Sequence, residues 1–517
     1  MGIEDENRLI KERIAKLDRF REAGVEPYPY SFDKDVHAKD IKEKHANLKP
    51  EEHTEDQVAI AGRLMQLRVM GKASFAHLQD ETGRIQIYMT RDDLGEDVYK
   101  IAKKLDIGDI IGIKGNVFAT KTGEVSVYAK EFTLLTKTLR PLPEKYHGLQ
   151  DKELRYRQRY LDLMMNPDVK DTFMKRSRMV SAVREFFGNQ EGFMEVETPS
   201  LQIIYGGANA KPFKTYINAW DMNMYLSISP ELYLKKLLVG GFEKVYTICK
   251  NFRNEGVDKS HNPEFTMLEC YKSFVDFNEM MRLCEQCYEF ACKELNNGST
   301  KVKHTYMGKE VELDFKAPWQ RMTMLEAIEQ HAGIDISTMD DNQLQEVMRN
   351  YNIEYEGDFS WGTAVSLIFE ELVEPKLIQP IHITEHPKES TPLCKASRAD
   401  PRLIERFEPF CLGMELGNAY SELTDPILQR QLLEQQAEEL RGGAEEAHPM
   451  DEDFVQSIEY GMTPAGGMGI GIDRMAILLT GTESIRDVIL FPTMKPLTDT
   501  VEEQDAKLKE DIKKSLK

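Results

Sequence analysis

The feature that most restricts the fold of this chain is a pair of short apolar runs, residues 245–249 and 267–271, separated by a polar loop. Two such runs around a glycine-containing loop predict an antiparallel hairpin. At the start of the loop, Arg253 can offer a planar guanidinium fork to a phosphate. His261 can reach phosphate oxygens, and Phe265 offers a flat face on which a base can stack. The stretch therefore indicates either a nucleotide site or a plain surface hairpin with a charged loop.

Composition limits the classes of protein that need to be considered. At 517 residues the chain exceeds one ordinary core, so two or three domains are expected. Its hydrophobic content of 41% and charged content of 30% are typical of a soluble globular protein. No apolar stretch approaches the roughly 18 residues of a membrane helix, so we expect a cytoplasmic protein without membrane contact. The net charge of −21 excludes a uniformly basic surface and leaves local basic patches possible.

Cysteine usage gives no sign of a disulfide framework. Seven cysteines in a chain of this length suit a reducing compartment. Cys284 and Cys287 form a CxxC pair, but apolar residues recur around them at helical spacing. Since no second ligand pair with zinc spacing is present, the pattern favours a packed helix.

The first part of the chain changes from a helical to a strand pattern. Residues 1–55 predict a helical extension with a charged amphipathic helix over 3–22. Residues 56–138 then alternate with period 2, which fits a five-stranded OB-fold barrel. The predicted strands are 57–69, 74–80, 84–89, 109–120 and 125–136. Arg68, Phe75 and Gln86 lie on or beside the first three strands, where an aromatic residue can belong to the core or to a base-stacking surface.

Residues 139–150 are predicted to be a linker, and residues 151–517 to be a second domain. Within it, Glu408 and Glu415 are seven residues apart, and carboxylates suit Mg²⁺ when phosphates supply further oxygens. Asn418, Tyr420 and Glu422 are two apart, so in a strand they share one face. A surface strand edged with acids is the plainer alternative.

A glycine-rich run near the end of the chain precedes an apolar helix. Glycines at 466, 467, 469 and 471 lead into Asp473 and Arg474. A GxG pattern alone suggests a dinucleotide loop, but no βαβ unit with a downstream ribose-binding acid accompanies it. This motif therefore needs another explanation.

Several motifs together resemble one family. FMEVETPSL, GGANAKPF, FRNEG, HNPEFTMLE, ELGNAYSEL and GIGIDR, in this order after MGKASFAHLQD, are similar to the class II aminoacyl-tRNA synthetases and most like the lysyl members. The resemblance spans about residues 57–497. It implies an α+β protein in which an N-terminal OB-fold barrel binds the anticodon and an antiparallel sheet flanked by helices forms the catalytic domain. Motifs 1, 2 and 3 would lie at about 171–199, 245–271 and 466–492, and the protein would be a homodimer.

The resemblance also implies roles for individual residues. The catalytic residues would be Arg253, Glu255, His261 and Arg474. ATP would be bound by these four together with Asn262, Phe265, Glu408, Glu415 and Gly471, and Mg²⁺ would be held by Glu408 and Glu415. The lysine pocket would comprise Gly207, Glu231, Arg253, Glu269, Tyr271, Asn418, Tyr420 and Glu422. The anticodon would be read by Arg68, Phe75 and Gln86.

Within that pocket the resemblance suggests a division of labour. Glu231 and Glu269 suit the α-ammonium of lysine, Glu422 and Tyr271 suit its side-chain ammonium, and Asn418 can meet its carboxylate. The implied activity is ATP-dependent formation of lysyl-adenylate and transfer of lysine to the 3′ end of tRNA(Lys).

Three other functions are possible from the sequence. A relative that charges aspartate or asparagine would share the barrel and the motifs. A paralogue that lysylates an elongation factor would lack the barrel. An RNA-binding module with a degenerate catalytic half would have lost Arg253, Glu408, Glu415 and Arg474, which are present here.

Overall fold

Two β-structures organise the chain, a closed barrel and a large open sheet. The computed structural model describes residues 3–143, 149–355, 359–442 and 448–497. The chain divides into two units, residues 1–150 and 151–517. Residues 144–148 of the predicted linker lie outside the described residues. Within the described ranges, no helix is both long and apolar enough to cross a bilayer.

The first unit contains the predicted N-terminal helix followed by the barrel. Its helices are α1 (Ile3–Glu22), α2 (Ala38–Lys44), α3 (Arg91–Leu94) and α4 (Glu96–Ala102). Its strands are β1 (His53–Met70), β2 (Ala73–Gln79), β3 (Arg84–Thr90), β4 (Ile110–Ala119) and β5 (Val125–Thr136). The strands close in the order β1-β2-β3-β5-β4. This closure confirms the predicted OB-fold barrel.

Alternation along the strands separates the barrel core from its outer face. In β3, Ile85, Ile87 and Met89 are wholly buried, whereas Gln86 and Tyr88 between them are half-buried. Successive side chains of a strand point to opposite faces, so the apolar set fills the barrel and the intervening set faces outward. The outward set is therefore available for recognition.

The second unit is built around an open, mostly antiparallel sheet. Its helices are α5 (Lys152–Arg157), α6 (Arg159–Met165), α7 (Pro167–Arg184), α8 (Glu231–Val239), α9 (Phe277–Leu295), α10 (Met324–Ala332), α11 (Asp341–Asn350), α12 (Trp361–Leu372), α13 (Pro426–Arg441), α14 (Glu452–Glu459), α15 (Ile472–Thr480) and α16 (Ile485–Val488). A π-helix, Glu185–Gln190, continues α7, and 3₁₀ turns occupy Glu374–Lys376 and Lys388–Ser390.

The strands of this unit form one large and two small sheets. They are β6 (Met194–Glu195), β7 (Leu201–Gln202), β8 (Lys214–Ile217), β9 (Met222–Leu226), β10 (Lys244–Phe252), β11 (Glu264–Ser273), β12 (Lys301–Tyr306), β13 (Lys309–Asp314), β14 (Gln320–Thr323), β15 (Ile381–Pro387), β16 (Leu403–Cys411), β17 (Met414–Glu415), β18 (Gly417–Ser421) and β19 (Ala465–Gly471). The large sheet has the order β14-β15-β16-β18-β19-β11-β10-β6, with β17 on β16. Strands β12 and β13 form one small sheet, and β7, β9 and β8 form the other.

The predicted hairpin is present. Strands β10 and β11 pair antiparallel without a register shift, from Lys244 opposite Lys272 to Phe252 opposite Glu264. The predicted motif 1 helix over 171–191 is α7 with its π-helical continuation, so it begins four residues earlier than expected. Helices α7, α9 and α15 contribute to one apolar core with the sheet. Cys284 and Cys287 are buried on α9, as expected for a packed helix.

Candidate functional site

Three neighbouring strands, β18, β19 and β11, place the key side chains in rows. Glu269 of β11 lies opposite Gly469 of β19, which in turn lies opposite Asn418 of β18. In the next row, Tyr271 and Tyr420 flank Gly467 in the same way. Residues directly opposite in an antiparallel pair share a face, so these rows form one surface.

The glycine run is therefore the central strand of this surface and not a dinucleotide loop. A Cβ atom at Gly467 would lie 2.0 Å from Glu422 Oε1 and 2.3 Å from the Tyr271 ring. A second glycine, Gly207, has a φ of +86°, and a Cβ atom there would lie 2.8 Å from Ser229 Oγ. At both positions only glycine leaves room for the neighbouring polar groups.

A cavity of about 310 Å³ lies over this surface. It brings together residues predicted from distant parts of the sequence. The predicted residues that line it are Gly207, Glu231, Arg253, Glu255, His261, Asn262, Phe265, Glu269, Tyr271, Glu408, Glu415, Asn418, Tyr420, Gly471 and Arg474. Glu422 does not line the cavity; its side chain is wholly buried beside Gly467.

One end of the cavity is acidic and buried. Glu269 Oε1 accepts a hydrogen bond of 2.9 Å from Ser229 Oγ, which also accepts the backbone N–H of Glu231 at 3.1 Å. Burial, together with the nearby charge of Glu231, raises the pKa of Glu269 to about 8. Burial also raises the pKa of Glu422, although Lys235 opposes the shift. This end of the cavity is therefore suited to a cation.

A lysine that the sequence analysis did not single out lies behind this acidic end. Lys235 Nζ is 2.5 Å from Glu231 Oε1 and 2.5 Å from Glu422 Oε2, and its side chain has no exposed surface. The Tyr420 hydroxyl donates to Glu231 Oε1 at 2.6 Å. Burial acts to lower the pKa of Lys235, but the two carboxylates outweigh it and the pKa is raised.

The arginine from the start of the hairpin loop faces the cavity without a protein counter-ion. In the described part of the chain, the Arg253 side chain makes no ion pair, and its buried Nε has no hydrogen-bond partner. Burial lowers its pKa, yet a guanidinium stays protonated in proteins. Its Cζ lies 5.1 Å from the centre of the Phe265 ring, so one face of that ring is covered by Arg253. A half-buried guanidinium without an ion-pair partner is suited to an anionic ligand.

Polar contacts hold the remaining side chains near Arg253. Arg474 donates to the carbonyl of Glu415 at 2.6 Å and to its carboxylate at 3.1 Å, and its other terminal nitrogen lies 3.2 Å from His261 Nε2. His261 Nδ1 lies 2.9 Å from Asp258 Oδ2. The Asn262 side chain donates to the carbonyl of Glu264 at 2.6 Å.

The two carboxylates predicted for Mg²⁺ line this same part of the cavity. Glu408 is paired with Arg406, and Arg406 Nε donates to Asn418 Oδ1 at 2.8 Å. Because an arginine side chain only donates hydrogen bonds, the Asn418 oxygen faces Arg406 and its NH₂ group faces away from Arg406. No cluster of three or more metal-binding side chains occurs in the described ranges. Two carboxylates fit a Mg²⁺ ion that takes its other ligands from phosphates and water.

An ion pair connects the three motifs. Asp473 of α15 accepts from the backbone N–H of Thr266 on β11 at 2.6 Å and from Arg176 of α7 at 2.6 Å. Arg176 also donates to Thr266 Oγ1 at 3.3 Å. Helix α7, the hairpin and the helix after the glycine run are thereby fixed together around the cavity.

Comparison with known proteins decides the family. The family model described as class II tRNA synthetases (D, K and N) matches residues 151–495. The chain belongs to the class II tRNA synthetases of the D, K and N group.

Curated relatives of this synthetase agree with that assignment. A protein of Pelotomaculum thermopropionicum named lysine–tRNA ligase is 50% identical over 498 residues, which cover 95% of this chain and 96% of the relative. Proteins with the same name are 50% identical in Carboxydothermus hydrogenoformans, covering 95% and 98% of the two chains, and 48% identical in Clostridium novyi, covering 95% of each.

The barrel of this synthetase matches the model described as an OB-fold nucleic acid binding domain, over residues 58–135. On its outer face, Arg68, Phe75, Tyr88 and Tyr128 lie opposite one another across four strands. The Phe75 and Tyr88 rings are 4.7 Å apart, centre to centre. Phe75 is half-buried on this face and does not belong to the barrel core.

The next row of the barrel face holds Gln86 in a fixed orientation. Its Nε2 donates to Glu124 Oε2 at 2.9 Å, and its Oε1 accepts from Ser126 Oγ at 3.0 Å. His77 Nε2 lies 3.4 Å from the other oxygen of Glu124. These contacts define which end of the Gln86 amide donates and which accepts.

Sequence reasoning missed several of these residues. Tyr88 lies two positions after Gln86, so strand alternation could have identified it. Lys235 lies four positions after Glu231 on α8, where it shares a helix face, but a lysine in an unaligned sequence is usually on the surface. Ser229 and Arg406 gave no signal of their own, because their role depends on partners brought together by the fold.

Proposed function

We propose that the chain activates L-lysine with ATP to form lysyl-adenylate and pyrophosphate, and then transfers lysine to the 3′ end of tRNA(Lys). The observation that carries the proposal is the polarity of one cavity. The buried carboxylates of Glu231 and Glu269 line it, and so does Arg253, whose guanidinium makes no ion pair within the described residues. L-Lysine has two ammonium groups and one carboxylate, which complement these charges.

In the first step a carboxylate oxygen of lysine forms a bond to the α-phosphorus of ATP. The bond from that phosphorus to the bridging oxygen breaks, and pyrophosphate leaves with the electron pair. No general base is needed, because the nucleophile is already ionised. Arg253 would stabilise the negative charge that develops on the α-phosphate. Positioning of the reactants and this preorganised charge would together account for the rate enhancement.

The ATP site follows from the residues around Arg253. Phe265 has one ring face covered by Arg253, so the adenine would stack on the remaining face. Arg474, Glu255, His261, Asn262 and Gly471 would complete the site. Glu408 and Glu415 would hold Mg²⁺, whose chemistry is to neutralise phosphate charge. In the second step the terminal ribose hydroxyl of tRNA would attack the lysyl carbonyl carbon, and the bond from that carbon to the phosphate oxygen would break. AMP would leave with the electron pair, and the hydroxyl proton would pass to its phosphate.

The acidic end of the cavity supports lysine over the amino acids used by the other members of the group. Glu231 and Glu269 line it, and Glu422 lies beside Gly467 with its Oε1 wholly buried. Aspartate would add a like charge there, and asparagine would leave buried carboxylates without a counter-charge. A site built for a polar group can reject an analogue that lacks it by roughly 10⁴ to 10⁵. The lysine–tRNA ligase relatives support the same choice.

The barrel face would bind the anticodon of tRNA(Lys), with Phe75 stacking on a base and Gln86 bonding a base edge beside Arg68. A protein that charges tRNA for translation would work where ribosomes are, in the cytoplasm. Exposed apolar side chains at the end of motif 1 and just after it support a homodimer; they belong to Met194, Leu201, Ile203, Tyr216 and Trp220. The mass in solution, from light scattering, tests the dimer.

Amino-acid-dependent exchange between pyrophosphate and ATP tests the central proposal. Each of the twenty amino acids, and norleucine in addition, is supplied in turn without tRNA. Lysine is expected to support exchange, and aspartate, asparagine and norleucine are expected to give at most a trace. Faster exchange with aspartate or asparagine than with lysine would overturn it.

A further inference from the structure

We propose that Lys235 is a positioning residue that determines specificity: it holds one oxygen each of Glu231 and Glu422, and so directs their remaining oxygens toward the two ammonium groups of lysine. This inference rests on the proposed function and deepens it. Lys235 itself does not line the cavity.

The geometry shows how one ammonium can direct two carboxylates. Lys235 Nζ lies 2.5 Å from Glu231 Oε1 and 2.5 Å from Glu422 Oε2. Tyr420 also bonds Glu231 Oε1, so this oxygen is fully engaged by the protein. Within the described residues, no hydrogen bond reaches Glu231 Oε2. Both oxygens of Glu422 are buried without a hydrogen-bond partner, and its ion pair with Lys235 is made through Oε2. Each acid therefore keeps one oxygen for a ligand.

The backbone fixes this arrangement. Glu231 and Lys235 are one helical turn apart on α8, and Glu422 follows the end of β18 with its N–H donating to the carbonyl of Ala465 at 2.8 Å. The absence of a side chain at Gly467 leaves space for Glu422 Oε1, which lies 2.0 Å from the position of a Cβ atom there. Oxygen Oε1 of Glu422 is thus directed to the floor of the cavity, because Gly467 lines that cavity.

The count of charges explains why a built-in ammonium is useful. Among the charged groups assigned to lysine and Lys235 behind them, Glu231, Glu269 and Glu422 carry three negative charges when ionised, while Lys235 and Arg253 carry two positive charges. The single negative charge that remains matches the single net positive charge of L-lysine. Without Lys235 the carboxylates would exceed the ammonium groups by one, and a buried carboxylate without a counter-charge takes up a proton instead. One ammonium group of the bound lysine would then face a protonated, uncharged carboxyl group.

Other titratable groups also face this cluster, and their response must be separated from that of Lys235. They come from β11, β18, the segment before α14 and the segment after β15. They are Glu269, Tyr271, Tyr420, His448 and Cys394. Burial lowers the pKa of His448 to about 4, so it is neutral near pH 7 and adds no charge.

The test compares Lys235→Met with Lys236→Met in the full chain. Lys236 is the next residue of α8 and pairs with Asp453 at the surface, so it serves as a matched control. For Lys235→Met, we expect the KM for lysine in pyrophosphate exchange to rise at least tenfold, while the KM for ATP stays within twofold. L-Lysine alone should no longer raise the Tm, whereas Mg-ATP should still raise it. Lys236→Met should behave as the unmodified protein does.

A pH profile separates positioning from a merely structural role. Removal of the cation should move the rise of kcat/KM for lysine to higher pH, because the carboxylates then hold their protons more tightly. Lys235→Arg keeps the charge and should return the profile toward that of the unmodified protein. Lys235→Gln, which is neutral but polar, carries the test if Lys235→Met does not fold.

Two results would overturn the inference. One is a lysine KM within twofold of normal together with an unchanged pH profile in the neutral variant. The other is a folded variant in which the effects of lysine and ATP on Tm are lost together, because that indicates structural damage alone. Absence of lysine-dependent exchange in the unmodified protein would instead refute the proposed function.

Discussion

In the catalytic unit, Glu231, Glu269 and Lys235 are almost wholly buried and bonded to one another or to neighbouring hydroxyls. On the barrel, Phe75 and Gln86 are half-buried and present a ring and an amide. Charges that are buried in a protein interact strongly and tolerate little change in their partners. An aromatic face beside water tolerates many bases and contributes a modest energy for each stack. We therefore expect substitutions of cavity residues to have large effects on activity, and substitutions on the barrel face to have small ones.

The sharpest test of this contrast is Arg253→Ala. A preorganised donor to developing charge contributes about 3–4 kcal/mol, so exchange should slow by roughly 10² to 10³. Lys250, near the end of β10 and three residues before Arg253, makes a surface ion pair of 3.5 Å with Glu264 and provides the control. Lys250→Ala should exchange at the normal rate. Steady-state exchange at saturating lysine measures both, and near-normal activity of Arg253→Ala would refute the ATP site described above.

The glycines of β19 allow a steric test within one strand. In Gly467→Ala the new methyl group collides with Glu422 and Tyr271, whereas in Gly469→Ala the nearest atom is Glu269 Cγ at 3.5 Å, an ordinary contact. Overpacking of this kind costs about 1–3 kcal/mol. Thermal unfolding of the protein without ligands should therefore show a clear fall in Tm for Gly467→Ala and little change for Gly469→Ala. Equal Tm values would mean that Glu422 and Tyr271 move to accommodate the new methyl group without loss of stability.

On the barrel, Phe75→Ala should remove one base stack. Its cost is about 1–3 kcal/mol, seen as weaker use of tRNA. Amino-acid activation without tRNA should be unchanged, because the described residues that line the cavity all belong to the second unit. The measurement is the kcat/KM for tRNA in the charging reaction, with lysine-dependent exchange as the internal control. Unaltered charging at sub-saturating tRNA would show that Phe75 is not part of the anticodon site.

The protonation state of Glu269 offers a further test of the cavity. The pKa of Glu269 in the folded protein, about 8, lies far above the ordinary value of 4.5. The folded state therefore binds a proton that the unfolded state has lost between these pH values, so stability without ligands should fall as pH rises through this window. Lysine requires the ionised form, so its binding near pH 7 should release protons.

Calorimetry in buffers of different ionisation enthalpy measures that release. It should be smaller in Glu269→Gln, and the affinity of the unmodified protein for lysine should rise with pH by at most about tenfold per pH unit for each proton. Binding without proton release would show that Glu269 is already ionised in the empty cavity.

The sequence was sufficient to predict the parts of this protein that have a strong local pattern. The β10–β11 hairpin, the barrel strands and the packed helix around Cys284 follow from periodicity and turn residues. The cavity residues came from motifs, since Glu231 and Tyr420 are 189 positions apart and meet only in the fold. Lys235 could not be predicted, because its role depends on two carboxylates from different elements. A buried lysine contradicts the usual preference of its residue type.

The smallest effect expected from the comparison concerns Ser126 on the barrel. Its hydroxyl donates to Gln86 Oε1 at 3.0 Å, while Glu124 accepts from the amide nitrogen. Ser126→Ala leaves the Glu124 contact and the Phe75 ring in place but frees one end of the amide. A hydrogen bond of this kind contributes about 0.5–1.5 kcal/mol. Because the amide then loses its fixed orientation, the variant should distinguish tRNA(Lys) from a transcript with one altered anticodon base less well, by a factor of about 2–10.

The expected result differs from a loss of affinity. Charging of tRNA(Lys) itself should change little, and the altered transcript should gain relative to it. The ratio of the two kcat/KM values is the measurement, and Thr122→Ala, a nearby exposed hydroxyl bonded to Thr120, is the control. If both transcripts lose equally in Ser126→Ala, then Gln86 contributes affinity and no base discrimination, and the recognition surface of the barrel is a stacking platform alone.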